Sequence, residues 1–485
     1  MNKFPLLSKS VIIGMLMIML WIPLLMVQAT IQERSRYRDQ ATREVANSHA
    51  RQQVVSGPVL WVPFTERYPV TVRYGKEGEK IRTETRERAS WQVVFPSRLE
   101  TQAQIDTETR MRGIFPVTVY NSQQRSAGRF VWTPEKPVHN QGVIEWGTPR
   151  VLMNVSDVRG LLGKPELNFS GRTFEIDQIT QNPHPLMPLG VDLKGMSLRA
   201  GEPLDFVLDL DLAGTDRLGW VPLADDNSVT VTSPWPHPNF NGSFLPRQRD
   251  VSGSGFSATW RVPSLSSSAQ TTALDALKQT GANDGHRQHL ENFAVNLQDP
   301  VDVYRLTDRA AKYGMLFVVL TFVGFFISEA VRRWRVHPMQ YLMVGAALVV
   351  FFLLLLSLSE HVSFAMAYFS ASAACIALLG YYLRHVLGGW RQSFGMSSML
   401  VAVYGVLYGI LMSEDNALMM GSFLLFAVLA LVMIATRKID WYNVMKLPSV
   451  GGKPQPPQPG RSGGLPPSPP TPPAGNSGGT GLKPA

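Results

Sequence analysis

YGMLFVVLTFVGFFISEAVRRWRVHPMQYLMVGAALVVFFLLLLSLSEH, residues 313–361, decides the architecture. Its two apolar runs, Tyr313–Ala330 and Tyr341–Leu358, each approach the roughly 20 residues a helix needs to cross a bilayer core. Arg332, Arg333 and Arg335 fill the linker between them, whereas the next linker, Ser359-Glu360-His361, has no Lys or Arg. Basic residues hold short linkers on the cytoplasmic side, so the first linker reads as inside and the second as outside. Further along, Val362–Leu383, Met396–Met412 and Ala417–Thr436 read as three more spans. Arg384 and Arg391 mark the third linker, Ser413-Glu414-Asp415-Asn416 the fourth, and Arg437 and Lys438 follow the last helix. The basic linkers alternate. Trp334, Trp390, Trp441 and Tyr442 sit at helix ends, where interfacial anchors belong.

Toward the N-terminus, Val11–Ile31 is a sixth apolar run, preceded by Lys3 and Lys9. It is long for a signal-peptide core, although Val27-Gln28-Ala29 loosely fits a cleavage site, so it reads as an uncleaved anchor. Six spans put both termini in the cytoplasm and residues 32–312 outside. Arg34, Arg36 and Arg38 lie on the wrong side of that scheme, an inconsistency that a long translocated domain weakens without removing.

Charge follows the same partition. Residues 32–312 carry 33 Lys and Arg against 32 Asp and Glu, so the net charge of +9 belongs mainly to the flanks of apolar segments. No basic cluster interleaved with aromatics occurs in the soluble part, which argues against nucleic acid as a partner. The single cysteine, Cys375, lies in an apolar run and excludes an intramolecular disulfide.

Within 32–312, Gln32 through Ala50 is polar and reads as a helical stalk, and short strands follow. Leu204, Phe206, Leu208, Leu210 and Leu212 share one face while Asp205, Asp209 and Asp211 share the other, with Val207 the exception. That period of two is a strand with one buried and one wet face. Pro58–Phe64, Trp91–Phe95, Phe115–Tyr120, Ser228–Thr232, Phe256–Val262 and Phe293–Leu297 continue the pattern. The fold class is an α+β membrane protein. It has an anchor at 1–31, a mainly antiparallel β-sandwich-like periplasmic domain at 32–312 with a division into two subdomains near residue 150, and a bundle at 313–436. Ser264–Leu290 reads as a mobile polar insertion. The tail, 437–485, is rich in Pro and Gly from about 448, a composition that cannot offset chain entropy and reads as disordered. Pro454 and Pro457 give it a PxxP spacing, as a polyproline ligand has, but a solvated cytoplasmic tail is the favoured reading.

Catalytic signatures are missing. The chain has no Ser-x-x-Lys, G-x-S-x-G, HExxH or phosphate-cradling G-x-x-x-x-G-K. His286 and His289 are spaced for a metal on a helix but have no third ligand nearby in sequence. No cofactor or metal is expected. Glu329 is the one charged residue inside the five C-terminal spans and reads as an interfacial glutamate paired with Arg332 or Arg333. Three outward strings remain as candidate contact sites: Asp157, Arg159 and Gly160; Trp235 and His237 with Phe244; and Glu360 with His361, which has an imidazole suited to sensing pH. The bland readings are a local ion pair, a packed β-corner and a solvated turn. Thr307 or Asp308 reads as the cap of the second span.

Several strings together resemble the CreD family of inner-membrane cell-envelope-integrity proteins, over about residues 1–445. They are Ser56-Gly57-Pro58, Asp157-x-Arg159-Gly160, Trp235-Pro236-His237-Pro238 with Phe244-Leu245-Pro246, and Thr307-Asp308-Arg309-Ala310 with Lys312-Tyr313. His337-Pro338-Met339-Gln340-Tyr341-Leu342, Leu358-Ser359-Glu360-His361 and Thr436-Arg437-x-Ile439-Asp440-Trp441-Tyr442 complete the set. The resemblance implies a Gram-negative inner-membrane protein linked to envelope stress and β-lactam response, and supplies no catalytic residue. Three functions are open: an envelope factor acting by binding a cell-wall or periplasmic partner, a transporter or channel, and a hydrolase with a scattered triad. Membrane lipid is the one partner that the residues themselves demand.

Overall fold

A computed structural model describes residues 6–74, 80–179, 186–278, 290–297, 302–332, 336–387, 389–413 and 416–437. Lys3, Arg333, Trp334, Arg335, Lys438, Trp441 and Tyr442, the histidine pair at 286 and 289, and the Pro-rich tail lie outside the described residues.

Helix α1 (Leu6–Ser48) runs for 43 residues without a break, so anchor and stalk are one rod of about 64 Å. Its first half is apolar, and its second half buries Ala41 and Val45. Seventeen described strands and a second helix follow. They are β1 (Gln53–Tyr74), β2 (Lys80–Val94), β3 (Arg98–Arg112), β4 (Phe115–Val131), β5 (Val143–Trp146) and β6 (Arg150–Val155). Next come β7 (Glu166–Phe169), β8 (Arg172–Glu175), β9 (Asp177–Gln178), β10 (Leu189–Asp192), β11 (Pro203–Thr215) and β12 (Arg217–Val221). Last are β13 (Asp226–Ser233), β14 (Asn239–Gly242), β15 (Gln248–Ser252), β16 (Gly255–Pro263), helix α2 (Ala269–Lys278) and β17 (Phe293–Asn296).

They build two sheets. One has the order β14-β17-β12-β1-β6-β10-β9, with β2 and β5 also paired to β1; the other runs β15-β16-β13-β3-β4-β11-β7-β8. Both are mixed rather than purely antiparallel, because β1 pairs β12 and β3 pairs β13 in parallel. Each sheet combines strands from before and after residue 150, so the chain is not divided there into two subdomains. In β11 the leucines and Phe206 are buried and the aspartates exposed, as the alternation predicts. They meet Leu60, Val62, Trp220 and Phe293 of the other sheet in one continuous core. Gly57, at φ +102°, marks a register shift in β1 between Ser56 and Val59, a conformation that favours glycine. The segment predicted as a polar insertion instead contains α2. Its Ala269, Ala273 and Leu277 cover Val59, Leu152 and Val221 of the first sheet and Leu223 just beyond it.

The bundle comprises α3 (Val303–Lys312), α4 (Gly314–Arg332), α5 (Pro338–Ser359), α6 (Phe364–Leu387), α7 (Trp390–Met412) and α8 (Ala417–Thr436). Four helices, α1, α5, α6 and α7, are long and apolar enough to cross a bilayer; α3 and α4, bent by 44°, together make a fifth. Helix α7 starts six residues before the predicted Met396, and α3 was not foreseen as a separate element. Asp302, rather than Thr307 or Asp308, caps α3 by accepting from Tyr304 N at 3.0 Å and Arg305 N at 3.3 Å. Thr307 donates back to Val303 O, and Asp308 pairs with Lys312 at 2.6 Å. The interior of the bundle is aromatic: Phe317, Phe351, Phe352, Tyr368 and Tyr404 are buried against one another.

Candidate functional site

Asp157, Arg159 and Gly160 lie where the long helix enters the sandwich. Asp157 caps a single 3-10 turn, Val158–Gly160, by accepting from Arg159 N. Its carboxylate also accepts from Arg51 N at 3.1 Å and from the Arg159 guanidinium at 2.5 and 2.9 Å. Arg159 reaches back to donate to Asn47 O, an end carbonyl of α1, at 2.6 Å. Buried Gln53 donates to Asp157 O and Ala213 O and accepts from Asp157 N. Thr215 donates to Ala50 O at 2.7 Å. A Cβ on Gly160 would come within 2.3 Å of Ala213 O and of the Gln53 amide, so only glycine fits. The Arg159 guanidinium, with backbone amides, holds the Asp157 carboxyl down to about 2. The predicted local ion pair is present, and it does more than shape a turn. It locks the membrane helix to both sheets.

Two further polar clusters bracket the apolar part of α1. At the N-terminal end, Lys9 pairs with Glu329 of α4 and donates to Val336 O at 2.5 Å. Tyr341 donates to the other Glu329 oxygen at 3.1 Å. Glu329 is therefore interfacial and paired, but its described partner is Lys9 of another helix. Here His337 and Gln340 close a capping box around Pro338 at the start of α5, which accounts for that family string. At the other end, Arg38 pairs with Asp302 at 2.7 Å and lies over the Tyr304 ring. Tyr304 donates to Glu360 at 3.0 Å, and Arg34 stands 3.7 Å from the same carboxylate. Glu360 is thus 8% exposed and tied to two helices, not solvated; His361 beside it is exposed. Lys9 and Arg34 are 25 residues apart, about 37 Å along the rod, which is close to a bilayer core plus its polar margins.

Trp235 and Phe244 are half-buried against the sandwich core, and Trp235 Nε1 donates to the carbonyl of exposed His237 at 2.9 Å. That is the packed corner. No described hydrogen bond or ion pair joins the Asp157, Trp235 and Glu360 groups. Elsewhere, His139 contacts buried Glu66 at 3.1 Å and stacks on Tyr68, with no serine, threonine or cysteine hydrogen-bonded to it. No set of three His, Cys, Asp or Glu fit to hold a metal occurs among the described residues.

Sequence reasoning missed the outer face of the second sheet. Register aligns Asp211, Gln123, Gln104, Thr232, Ser257 and Asp250 in one row across six strands. The neighbouring row is Asp209, Arg125, Gln102, Thr230, Thr259 and Gln248. At about 4.8 Å per strand each row spans roughly 24 Å. Two shallow grooves, of about 500 and 440 Å³, follow the rows and share Gln104 and Thr232. The face combines amides, hydroxyls and carboxylates, giving it both donors and acceptors for a neutral polar polymer. The aspartates of β11 were the available signal; their amide neighbours emerge only once the strands are paired.

Apolar helices of bilayer length, joined through one unbroken rod to a polar-faced β-sandwich, define an integral membrane protein with a large appended domain. The family model for inner membrane protein CreD matches residues 5–442. The chain is 36% identical over 448 residues to inner membrane protein CreD of Escherichia coli (strain K12), covering 91% of this chain and 95% of that one. It belongs to the CreD family and is an inner membrane protein. Among solved structures it is similar to an M1 zinc metallopeptidase from Deinococcus radiodurans and to a substrate-bound mutant of that enzyme. Both are 11% identical over 42% of each chain, with TM-scores of 0.20 and 0.21, too low to carry an argument about fold or chemistry.

Proposed function

We propose that this protein is a membrane-anchored binding platform serving envelope integrity under envelope and β-lactam stress. In this reading six helices cross the inner membrane, both termini are cytoplasmic, and residues 32–312 stand in the periplasm. The observation that carries it is α1, which passes unbroken from the apolar bundle into the Asp157–Gly160 lock. A domain held so tightly presents a fixed surface, and the two polar rows are the surface with hydrogen-bonding capacity to spare. Along β3, Gln104 is seven residues from Met111 at the hairpin end, about 23 Å, so the rows stand clear of the bundle. Wall material, with its hydroxyl and amide groups, is the matching partner.

The buried aromatic centre of the bundle favours this reading over transport, which needs polar groups at midplane. Photo-crosslinkers placed at Gln104 and Gln123 in living cells test it. Adducts with wall fragments or an envelope protein, lost when the neighbouring Gln102, Thr230 and Thr232 are replaced by Glu while the probe positions are kept, are expected. A folded protein with no adduct from either position would overturn the reading.

A further inference from the structure

The turn joining β3 to β4 ends in Met111-Arg112-Gly113-Ile114-Phe115. This tip is unlike the polar rows on the same strands. Met111 is 62% exposed and Ile114 40%, both large and apolar, at the end of a domain whose other leucines and valines are mostly buried. Its position is fixed from two sides. Arg112 donates to Glu44 of α1 at 3.0–3.1 Å, and Val117 and Val119 pack on Val45 of the same helix. Phe115 packs against the hydrophobic cluster of the bundle, with its ring 6.3 Å from that of Tyr304.

Tyr304 sets the height. Its hydroxyl meets Glu360 in the turn after α5, and its ring lies under Arg38, so it marks the end of the apolar part of the bundle. Val362 and Met366, at the start of α6 near that level, are 41% and 62% exposed, as lipid-facing side chains are. Met111 and Ile114 flank the pair formed by Arg112 and Phe115, the residue that meets the bundle at this level. Exposed apolar side chains next to a bilayer gain by entering the boundary between headgroups and acyl chains.

We infer that the β3–β4 tip is a lipid contact, with Met111 and Ile114 seated in the outer-leaflet boundary of the membrane that the bundle crosses. The domain then has a second hold on the membrane besides α1, and its tilt above the bilayer is set by two supports. The inference rests on the topology proposed above.

Nitroxides on single cysteines in full-length protein, reconstituted in liposomes on a Cys375→Ala background, test it. M111C and I114C labels are expected to collide more with oxygen, which partitions into lipid, than with a water-soluble nickel complex. A Gln104→Cys label is expected to show the opposite order. If the tip labels follow the order at position 104, the lipid contact is refuted while the polar rows remain clear of the bilayer. If the position-104 label also prefers oxygen, the reading that the rows stand clear of the membrane fails; the sidedness of the domain is read separately, from labelling at 104 by a membrane-impermeant maleimide on spheroplasts. Should Cys375→Ala not fold, the native chain, whose one cysteine is buried, serves as background and blank.

Discussion

The arginines at the two ends of the bundle are the same residue in different company. Arg38 is paired with Asp302 and Asp39, and Arg34 stands beside Glu360. Arg384, Arg391 and Arg437 are exposed and have no carboxylate partner among the described residues; Arg384 lies over the Trp390 ring instead. Counted along the chain, Arg34, Arg36 and Arg38 contradict the alternation of basic linkers. Counted as uncompensated charge, two of the three drop out, and Arg36, bonded to Gln32 O, is the one of the three without an acid partner among the described residues. Pairing with carboxylates far away in sequence is what distinguishes Arg34 and Arg38 from the bare arginines at the other end.

This comparison can be broken by experiment. The largest effect is expected at the lock that keeps the paired end attached to the domain. Gly160→Val forces a side chain against Ala213 O and the Gln53 amide, and should cost about 3 kcal/mol. It should appear as a lower Tm and as new protease cleavage near residue 50, with unchanged Tm contradicting the joint. Next, Asp39→Asn and Asp302→Asn with Glu360→Gln bare Arg34 and Arg38. A measurable fraction of chains should then insert with the domain on the wrong side, seen as protease resistance of residues 51–297 in spheroplasts; full sensitivity would remove the compensation argument. Arg38→Ala leaves a half-buried Asp302 without its cation and should cost about 2 kcal/mol, read from thermal unfolding in detergent.

The smallest effect concerns acid. Because the folded Asp157 pKa is lowered to about 2 from an unfolded value near 3.9, its contribution is fully present above about pH 4 and is lost as pH falls toward 2. Hydrogen exchange at the Arg51 and Arg159 amides should therefore show constant protection from pH 5 to 8. A fall in protection within that window would mean that another group governs the lock.

Much of this was legible beforehand where pattern is local. The leucine–aspartate alternation of β11, the five C-terminal apolar runs and the stalk are set by neighbours within a few residues, and periodicity reports them. The aromatic corner at Trp235 and the Asp157–Arg159 pair were readable for the same reason. Illegible were the features made by distant partners. Lys9 finds Glu329 across 320 residues, Gln53 finds Asp157 across 104, and the glutamine rows exist only after β3, β4, β11 and β13 are brought side by side. The supposed insertion after Ser264 hid a helix because Ala269, Ala273 and Leu277 are a thin apolar stripe in a polar stretch.

Single cysteines at Gln104, on the polar face, and at His385, at the end of α6, test the central claim most directly, using a membrane-impermeant maleimide on spheroplasts. Labelling at 104 in intact spheroplasts, with 385 reacting only after lysis, is the predicted result. Labelling at 385 before lysis, or protection at 104 until lysis, would contradict the account of which side holds the domain.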